Sequence, residues 1–324
     1  MNGILQPDGK RCYTGPECKL HGAHNQKVLS GKKKPSYLDE TPTADSVFTM
    51  EPKKVDFDKT SLLRARHLIR QLSMKDMDSS LLANTILTDV AKMKHVDYEK
   101  VSSAIEVASY LHRNDTRANR KGLPRTPYIE HPLRNTLRIM RYECTDQNVI
   151  VASILHDTVE DHPHEIAAEF AEQPVEDEAE ARETALNFIS ETYGDNVAHI
   201  VYKVSNPILP EGLSKEEKRE KYIEHVDSVI GDGSVALVKF SDFVDNAVGL
   251  YHNLVVDENN PKVNNKGMVS HLSKKYLPLI PIWRERLERE RTNRTIPVTN
   301  KGLEEMFRHL EHGERELTKL SQLA

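Results

Sequence analysis

The spacing of apolar residues from position 56 onward restricts most of the chain to helices. In the segments SLLRARHLIRQL, SLLANTILTDVAKM and VSSAIEVASYLHR, apolar residues recur three and four positions apart, which forms one face of a helix. The run VALVKF at 235–240 fits a strand or a helix, and we predict a helix because Ala236 and Leu237 favour one and because Asp242 and Asn246 then lie one turn apart. The sequence therefore predicts an all-α fold.

Composition limits the classes of function. With 324 residues and 38% hydrophobic content the chain can bury a substantial core, and its net charge of -5 makes nucleic-acid binding an unlikely role. It contains no run of 18 apolar residues and no recognisable signal peptide at its start, so we expect no membrane association. Three cysteines are too few for a disulfide framework, which favours a cytoplasmic location.

The segment 1–55 is rich in Gly, Pro, Lys, Thr and Ser and lacks helical or strand periodicity, which predicts an extended arm. Within it, CYTGPECKLHGAH brings Cys12, Cys18, His21 and His24 into thirteen residues. Thiolates and imidazoles are the usual ligands of structural Zn²⁺, so this cluster could form a zinc knuckle. The alternative interpretation is a flexible arm with reduced thiols.

The stretch SILHDTVEDHPHE at 153–165 carries the strongest functional signal. The apolar run VIVASIL ends at His156-Asp157, and Glu160-Asp161 follow three residues later. If the stretch is helical, His156 and Glu160 share one face and Asp157 and Asp161 share the adjacent face. An imidazole beside a carboxylate at the end of an apolar helix suits a divalent metal, whose charge offsets the cost of burying the acid.

Two other segments supply groups of the same kind. His131 directly precedes Pro132, a residue that favours helix starts, and Asp242 ends the apolar run VALVKF. Alone, a His-Pro pair is usually a structural cap, and an acid after an apolar run is usually a helix cap or an ion-pair partner. The order His131, His156-Asp157, Asp242, with helical context at each position, predicts one metal site instead.

These motifs resemble the HD superfamily of metal-dependent phosphohydrolases, in particular the hydrolase domain of the RelA/SpoT alarmone enzymes and the small stand-alone hydrolases. The similar segments are TPYIEHP, SILHDTVED, YGDNVAHIVYKVS and VKFSDFVDNAVGL, within a region of about 100–255. The resemblance implies an HD-domain helical bundle, a Mn²⁺ cofactor and hydrolysis of guanosine tetra- or pentaphosphate between the ribose 3′ oxygen and the diphosphate. The expected segments are an arm (1–55), a helical extension (56–95), the HD domain (96–290) and a C-terminal helix (291–324).

The resemblance also implies roles for single residues. His131, His156, Asp157 and Asp242 would hold the metal, and Glu160 and Asp161 would orient or deprotonate a water molecule. Arg120 and Lys121 resemble an Arg-Lys pair that contacts the nucleotide, with Arg125 as a competing candidate, and Asn246 matches an asparagine beside the nucleotide. Oligomeric state is not predicted by the sequence.

Two departures from the family pattern keep the substrate open. Phe243 stands where the family commonly has arginine, and Val248-Gly249 stand where it commonly has an Arg-Thr pair. The pattern therefore supports a phosphohydrolase more strongly than an alarmone hydrolase. One alternative is a phosphatase acting on the 2′-phosphate of NADPH or on another nucleotide, and another is a non-catalytic module that binds a nucleotide.

Overall fold

The computed structural model describes residues 59–117, 125–256 and 264–323, together with two short strands, Ile4–Leu5 and Arg11–Cys12. This part of the chain is dominated by helices, which confirms the predicted all-α class. They are α1 (Lys59–Gln71), α2 (Ser79–Val90), α3 (Tyr98–Leu111), α4 (Glu130–Arg141), α5 (Gln147–Leu155), α6 (Thr158–Asp161), α7 (Pro163–Glu169), α8 (Glu178–Tyr193), α9 (Asp195–Val204), α10 (Lys215–Val229), α11 (Gly233–Asn246), α12 (Lys266–Tyr276), α13 (Leu279–Asn293) and α14 (Asn300–Ser321).

The remaining regular structure is short. Strand β1 (Ile4–Leu5) pairs antiparallel with β2 (Arg11–Cys12), and β3 (Thr116–Arg117) pairs antiparallel with β4 (Thr126–Pro127). Three 3₁₀ segments, Met74–Asp76, His112–Asn114 and Val248–Asn253, connect helices. Among the helices described, none has the length and apolar content needed to cross a membrane.

The chain divides into two compact units, Met1–Ile69 and Arg70–Ala324. The second unit contains every helix from α2 to α14 and all of the side chains discussed below. The boundaries expected from the sequence near 55, 95 and 290 stay predictions.

Side-chain caps begin many of these helices. Asp78, Asp97, Asp146 and Asp232 each accept a hydrogen bond from a backbone N–H in the first turn of the following helix, which satisfies donors that have no intrahelical partner. Ser214 and Glu217 form the capping box that their spacing predicts at the start of α10.

Helix α5 lies at the centre of the second unit. It packs against α3, α4, α9 and α11, and its residues from Val149 to Leu155 are all buried, which explains why this segment is apolar on every side. Helix α4 is also buried from Glu130 to Met140, although many of its residues are polar. Buried polar groups need hydrogen-bond or ionic partners, so the polar side chains of α4 mark the place to look for a functional site.

A continuous helix over the stretch 153–165, on which the predicted pairing of faces depends, is not what the structure shows. Helix α5 ends at Leu155, and α6 begins at Thr158, so His156 and Asp157 occupy the junction. Side chains form hydrogen bonds with carbonyl groups in the last turn of α5. Thr158 Oγ1 donates to Leu155 O over 2.7 Å, and His156 Nδ1 lies 2.9 Å from Ser153 O. The two metal-ligand candidates therefore lie at a break between helices.

Two further expectations concern α11 and α14. The run VALVKF lies within α11, so the helical interpretation is confirmed. Gly313, which the sequence marks as a weak point of the last helix, lies inside the continuous α14, where a Cβ atom would come within 2.7 Å of Val248 Cγ2. Its absence of a side chain permits this close packing.

A half-buried histidine, His309, attaches α14 to the end of α4. Tyr142 is buried and its hydroxyl lies 2.6 Å from His309 Nδ1. Burial, together with the charge of Arg138, lowers the pKa of His309 to about 3, so the folded chain holds this imidazole neutral. A neutral Nδ1 can accept the proton of Tyr142.

We therefore expect the stability of the folded chain to fall on acidification through His309. Below about pH 6.5 the unfolded chain binds a proton at this residue that the folded chain does not take up until its own, lower pKa. Urea unfolding between pH 4.5 and 7 should give a free energy that falls by up to about 1.4 kcal/mol per pH unit more steeply in the parent than in His309→Asn. Equal slopes in the two proteins would contradict the assignment.

Candidate metal centre

The four predicted metal ligands come together at the ends of three helices. His131 lies in the first turn of α4, one residue after the helix begins, His156 and Asp157 lie at the α5–α6 junction, and Asp242 lies in α11. His131 Nε2 is 3.0 Å from Asp242 Oδ1 and 3.5 Å from Asp157 Oδ2. His156 Nε2 is 3.2 Å from Asp157 Oδ1 and 3.9 Å from Asp242 Oδ1. These distances place two imidazole nitrogens and two carboxylates around one point.

Asp245 determines which nitrogen of His131 faces this point. His131 Nδ1 lies 2.8 Å from Asp245 Oδ2, and because a carboxylate only accepts, Nδ1 carries the proton. Nε2 is then the ring nitrogen that faces Asp157 and Asp242, where a bound metal would take its lone pair, and the Asn135 amide nitrogen lies 3.4 Å away. A carboxylate that holds the other ring nitrogen is the usual arrangement of a metal-binding histidine.

The same reasoning applies to His156. Its Nδ1 lies 2.9 Å from the carbonyl oxygen of Ser153, so the proton is on Nδ1. Its Nε2 is buried and has no hydrogen-bond partner among the described residues. A buried lone pair without a donor is costly, and a metal ion would satisfy it. The donor set of two imidazoles and two carboxylates thus fits a divalent transition metal.

Neighbouring groups hold both aspartates in place. The Tyr128 hydroxyl donates to Asp157 Oδ2 over 2.9 Å, and the Asn246 amide donates to Asp242 Oδ1 over 2.6 Å. Burial alone would raise the pKa of Asp242, but the hydrogen bond and charge of His131 and the charge of His156 keep that pKa well below its usual value. Both carboxylates therefore stay charged, as metal ligands must.

A buried ionic network lies behind His131. Asp245 is 2% exposed and pairs with Arg134 Nε at 2.9 Å, Arg138 Nη2 at 3.1 Å and Lys75 Nζ at 3.3 Å. Burial would raise the pKa of Asp245, but Arg134 and Lys75 hold it well below its usual range. The carboxylate that orients His131 is therefore permanently charged near neutral pH.

The Glu-Asp pair that follows the metal ligands has two different environments. Both oxygens of Glu160 accept from Asn206, over 2.8 Å from its backbone N–H and 2.9 Å from its side-chain amide. Asp161 keeps an exposed surface. Partial desolvation, together with the negative charges of Asp157 and Glu160, raises the pKa of Asp161 to about 7. Asp161 is thus the carboxylate with free oxygens, while Glu160 anchors the segment after α9.

The predicted nucleotide-binding residues divide into three groups. Asn246 lies at the site, bonded to Asp242. Arg120 and Lys121 lie outside the described residues. Arg125 donates to Thr116 Oγ1 over 2.5 Å, beside the β3–β4 pair and not at the metal ligands.

Arg117, which the sequence analysis did not select, is the described arginine that reaches the site. Its guanidinium donates to Asn246 Oδ1 and lies 5.2 Å from the centre of the Tyr128 ring. Desolvation disfavours its charge, but Asp245 and other acids of the site raise the pKa of Arg117 overall. Arg117 therefore places a permanent positive charge beside Asn246.

A basic cleft adjoins Glu160. It has a volume of about 480 Å³ and is bounded on one side by Glu160, Asn206 and Tyr222. Its cationic lining residues are Lys215, Lys218, Arg219, Lys221 and Lys275. Burial lowers the pKa of Lys275, while the charges of Asp242 and Glu160 act in the opposite direction. Five cations facing one carboxylate form a surface that attracts phosphate.

The two departures from the family pattern have structural reasons. Phe243 is 1% exposed and packs against Trp283 and Tyr276 in the core, so a side chain at this position does not face the cleft. At Gly249 a Cβ atom would come within 2.7 Å of Lys75 Cε. The glycine thus makes room for the lysine that pairs with Asp245.

The N-terminal Cys/His cluster and three unpredicted residues of the site complete the comparison between sequence and structure. The side chains of Cys12, Cys18, His21 and His24 lie outside the described residues, so the predicted zinc knuckle stays a prediction. Three residues of the site itself were missed: Tyr128, Arg117 and Asp245. Tyr128 lies within the TPYIEHP motif and Asp245 follows Asp242 by three positions, which are signals that could have identified both.

We expect Asp242→Asn to abolish stabilisation by a divalent metal without unfolding the chain. A metal that binds the folded state at 100 times its dissociation constant adds about 2.7 kcal/mol to the free energy of unfolding. The parent should therefore melt at a higher temperature with Mn²⁺ than with a chelator, and Asp242→Asn should not. Asp227→Asn, an exposed acid on α10, is the matched control. A Mn²⁺-dependent increase in Tm that persists in Asp242→Asn would contradict the ligand assignment.

No protein-family profile matches the chain. A solved structure of a metazoan ortholog of SpoT aligns with a TM-score of 0.42 and 20% identity, over 64% of this chain and 94% of that chain, a likeness too low to carry an argument.

Three curated relatives share one described activity, guanosine-3′,5′-bis(diphosphate) 3′-pyrophosphohydrolase. The Danio rerio protein MESH1 is 30% identical over 140 residues, 43% of this chain and 62% of that protein. The Aquifex aeolicus protein is 28% identical over 153 residues, 47% of this chain and 18% of that protein. Homo sapiens MESH1 is 39% identical over 64 residues, 19% of this chain and 35% of that protein. The chain thus spans less than two thirds of each of these relatives. Over the matched region, these similarities confirm the resemblance of its motifs to the RelA/SpoT-type hydrolases.

Proposed function

We propose that this chain is a metal-dependent phosphohydrolase that removes the 3′ diphosphate from guanosine 3′,5′-bis(diphosphate). The observation that carries the proposal is the pair of imidazoles, His131 and His156, whose Nδ1 atoms are bonded elsewhere and whose Nε2 atoms face Asp157 and Asp242. The activity described for the curated relatives supports the choice of reaction and substrate.

Mn²⁺ is the metal we propose, held by His131, His156, Asp157 and Asp242. Mixed nitrogen and oxygen donors also suit Fe²⁺ and Zn²⁺, and the family resemblance favours Mn²⁺. When bound, such an ion lowers the pKa of water and polarises a phosphoryl oxygen. Asp245 and the Ser153 carbonyl keep the two imidazoles in the orientation that binding requires.

Asp161 is the residue to which we assign proton transfer. It lies one turn after Asp157, is exposed, and does not take part in the contacts with Asn206 that occupy Glu160. A cation near Asp157 would lower the raised pKa of Asp161, which leaves the carboxylate form available to accept a proton from water at neutral pH. Glu160 contributes by fixing Asn206 at the border between the metal site and the basic cleft.

The basic cleft supports a substrate with several phosphates. Lys218, Lys221 and Lys275 line it beside Glu160, and Arg117 and Asn246 lie on the α11 side of the site. Guanosine 3′,5′-bis(diphosphate) carries two diphosphates, so one can lie at the metal while the other lies among these cations. This arrangement supplies positive charge that the absent family arginines would otherwise provide.

Other expectations remain predictions beside this proposal. They are a second metal, Zn²⁺, at Cys12, Cys18, His21 and His24, a cytoplasmic location and a lack of nucleic-acid partners. None of them is required for the proposed reaction.

Turnover of guanosine 3′,5′-bis(diphosphate) should release pyrophosphate in the presence of Mn²⁺. We expect Asp161→Asn to retain Mn²⁺ but to lose roughly 10²- to 10⁴-fold in kcat, because it keeps the shape of the side chain but not its basicity. Pyrophosphate and phosphate are measured separately, with NADPH as a second substrate. Release of phosphate from NADPH without cleavage of the guanosine compound would favour the phosphatase alternative, and binding without turnover of either would favour the non-catalytic one.

Neutralising the cleft should affect substrate binding more than chemistry. The double variant Lys218→Ala/Lys221→Ala is expected to raise KM for guanosine 3′,5′-bis(diphosphate) by roughly tenfold, since each exposed ion pair contributes about 0.2–1 kcal/mol, while kcat changes little. Lys92→Ala, on a different surface, is the matched control. An unchanged KM at low ionic strength would show that the cleft does not bind the phosphates.

A further inference from the structure

A second group of metal-ligating side chains lies beside the candidate metal centre. His112 is buried after α3, Asp115 follows three residues later, and His162 directly follows Asp161 at the start of α7. One ligand atom from each of these residues converges within a distance that a single ion can bridge. None of the three has a role in the proposed reaction.

The distances within this cluster are short on every side. Asp115 Oδ2 lies 3.0 Å from His112 Nδ1 and 2.7 Å from His162 Nε2, and the two nitrogens are 3.1 Å apart. Three atoms with these separations leave a point, on one side of their plane, that is about 2.0–2.1 Å from each, which is the Zn–N and Zn–O distance. The triangle therefore has the dimensions of three ligands around one ion.

Hydrogen bonding alone accounts poorly for this triangle. Both nitrogens approach the same carboxylate oxygen and also each other, so two N–H groups would have to point at one acceptor from neighbouring directions. A cation at the centre would accept lone pairs from all three atoms at once.

Glu165 orients His162 in the way that a metal ligand requires. His162 Nδ1 lies 3.4 Å from Glu165 Oε2, while Glu165 Oε1 accepts from Arg113 over 2.5 Å. The carboxylate is thus held by one residue of the 112–114 segment and faces the ring nitrogen that is not in the triangle. Carboxylate, imidazole and metal in this order recur at metal sites in proteins.

We infer that His112, Asp115 and His162 form a second divalent-metal site, suited to Zn²⁺ or a similar nitrogen-preferring ion. Two imidazoles and one carboxylate are ligands that Zn²⁺ prefers, and three protein ligands leave a fourth position for solvent. Asp115 is 36% exposed and His162 is 16% exposed, so solvent reaches this position. The site is separate from the proposed Mn²⁺ site and does not depend on the proposed function.

The position of the site indicates what the ion would do. It would join Asp115, two residues before Arg117, to His162, one residue after Asp161. Tyr128 lies between the two centres, stacked on His112 with ring centres 4.7 Å apart and bonded to Asp157 through its hydroxyl. The second ion would therefore fix the segment that carries Arg117 against the segment that carries Asp161.

Zinc stoichiometry of the full chain tests this inference. Metal-free protein is loaded with Zn²⁺, separated from free ion by gel filtration and analysed for metal per chain. His162→Gln is expected to bind one equivalent less than the parent, as is Asp115→Asn, whose partly exposed side chain can be replaced without disturbing the core. Glu165→Gln should keep the stoichiometry but bind Zn²⁺ roughly 10- to 100-fold more weakly.

Two controls distinguish this site from others in the chain. His164→Gln changes an exposed histidine two residues away, whose Nδ1 contacts the Val175 carbonyl, and should bind as much Zn²⁺ as the parent. The double variant His162→Gln/Asp242→Asn should bind one equivalent less than Asp242→Asn alone, and any zinc at the N-terminal cluster is common to all variants. Parental stoichiometry in both His162→Gln and Asp115→Asn, or equal stoichiometry in the double variant and Asp242→Asn, would overturn the inference.

Discussion

The arrangement of the site depends on one buried carboxylate, that of Asp245. It neutralises Lys75, Arg134 and Arg138 in the interior and holds the Nδ1 proton of His131. A buried charge is costly unless its hydrogen bonds are complete, and removing one member of such a group typically costs about 3–5 kcal/mol. The same interactions that keep α4 and α11 together therefore also fix the orientation of a metal ligand.

This coupling explains the unusual character of α4 and the chain around Gly249. Arg134 and Arg138 are buried on α4 because Asp245 on α11 faces them. Burial lowers the pKa of Lys75 to about 7 even though Asp245 raises it, so this lysine is retained in the core at a cost. Gly249 leaves the space that the Lys75 stem occupies. The charged residues that stabilise the core are thus the same residues that orient the metal ligand His131.

Positive charge for the proposed phosphate-rich substrate comes from elements other than α11. Phe243 packs into the aromatic core, so α11 contributes Asp242 and Asn246 to the cleft but no arginine. Arg117 reaches Asn246 from β3, and Lys218 and Lys221 of α10 line the basic cleft with Lys275 of α12. Cations from separate helices can replace an arginine on the motif because electrostatic attraction depends on position and not on sequence neighbours.

The sequence by itself determined the helical class, the capping box at Ser214 and the convergence of His131, His156, Asp157 and Asp242, because helical periodicity and capping are local and the ligand motifs lie at helix ends. Only the tertiary structure decided which side chains surround those ligands. The long-range contacts of Asp245, of Arg117 and of the triangle of His112, Asp115 and His162 join residues that are 47 to 170 positions apart, and no local pattern encodes such pairs. The break between α5 and α6 arises locally instead, since the side chains of His156 and Thr158 bond carbonyl groups three residues earlier in the chain, which helical periodicity does not reveal.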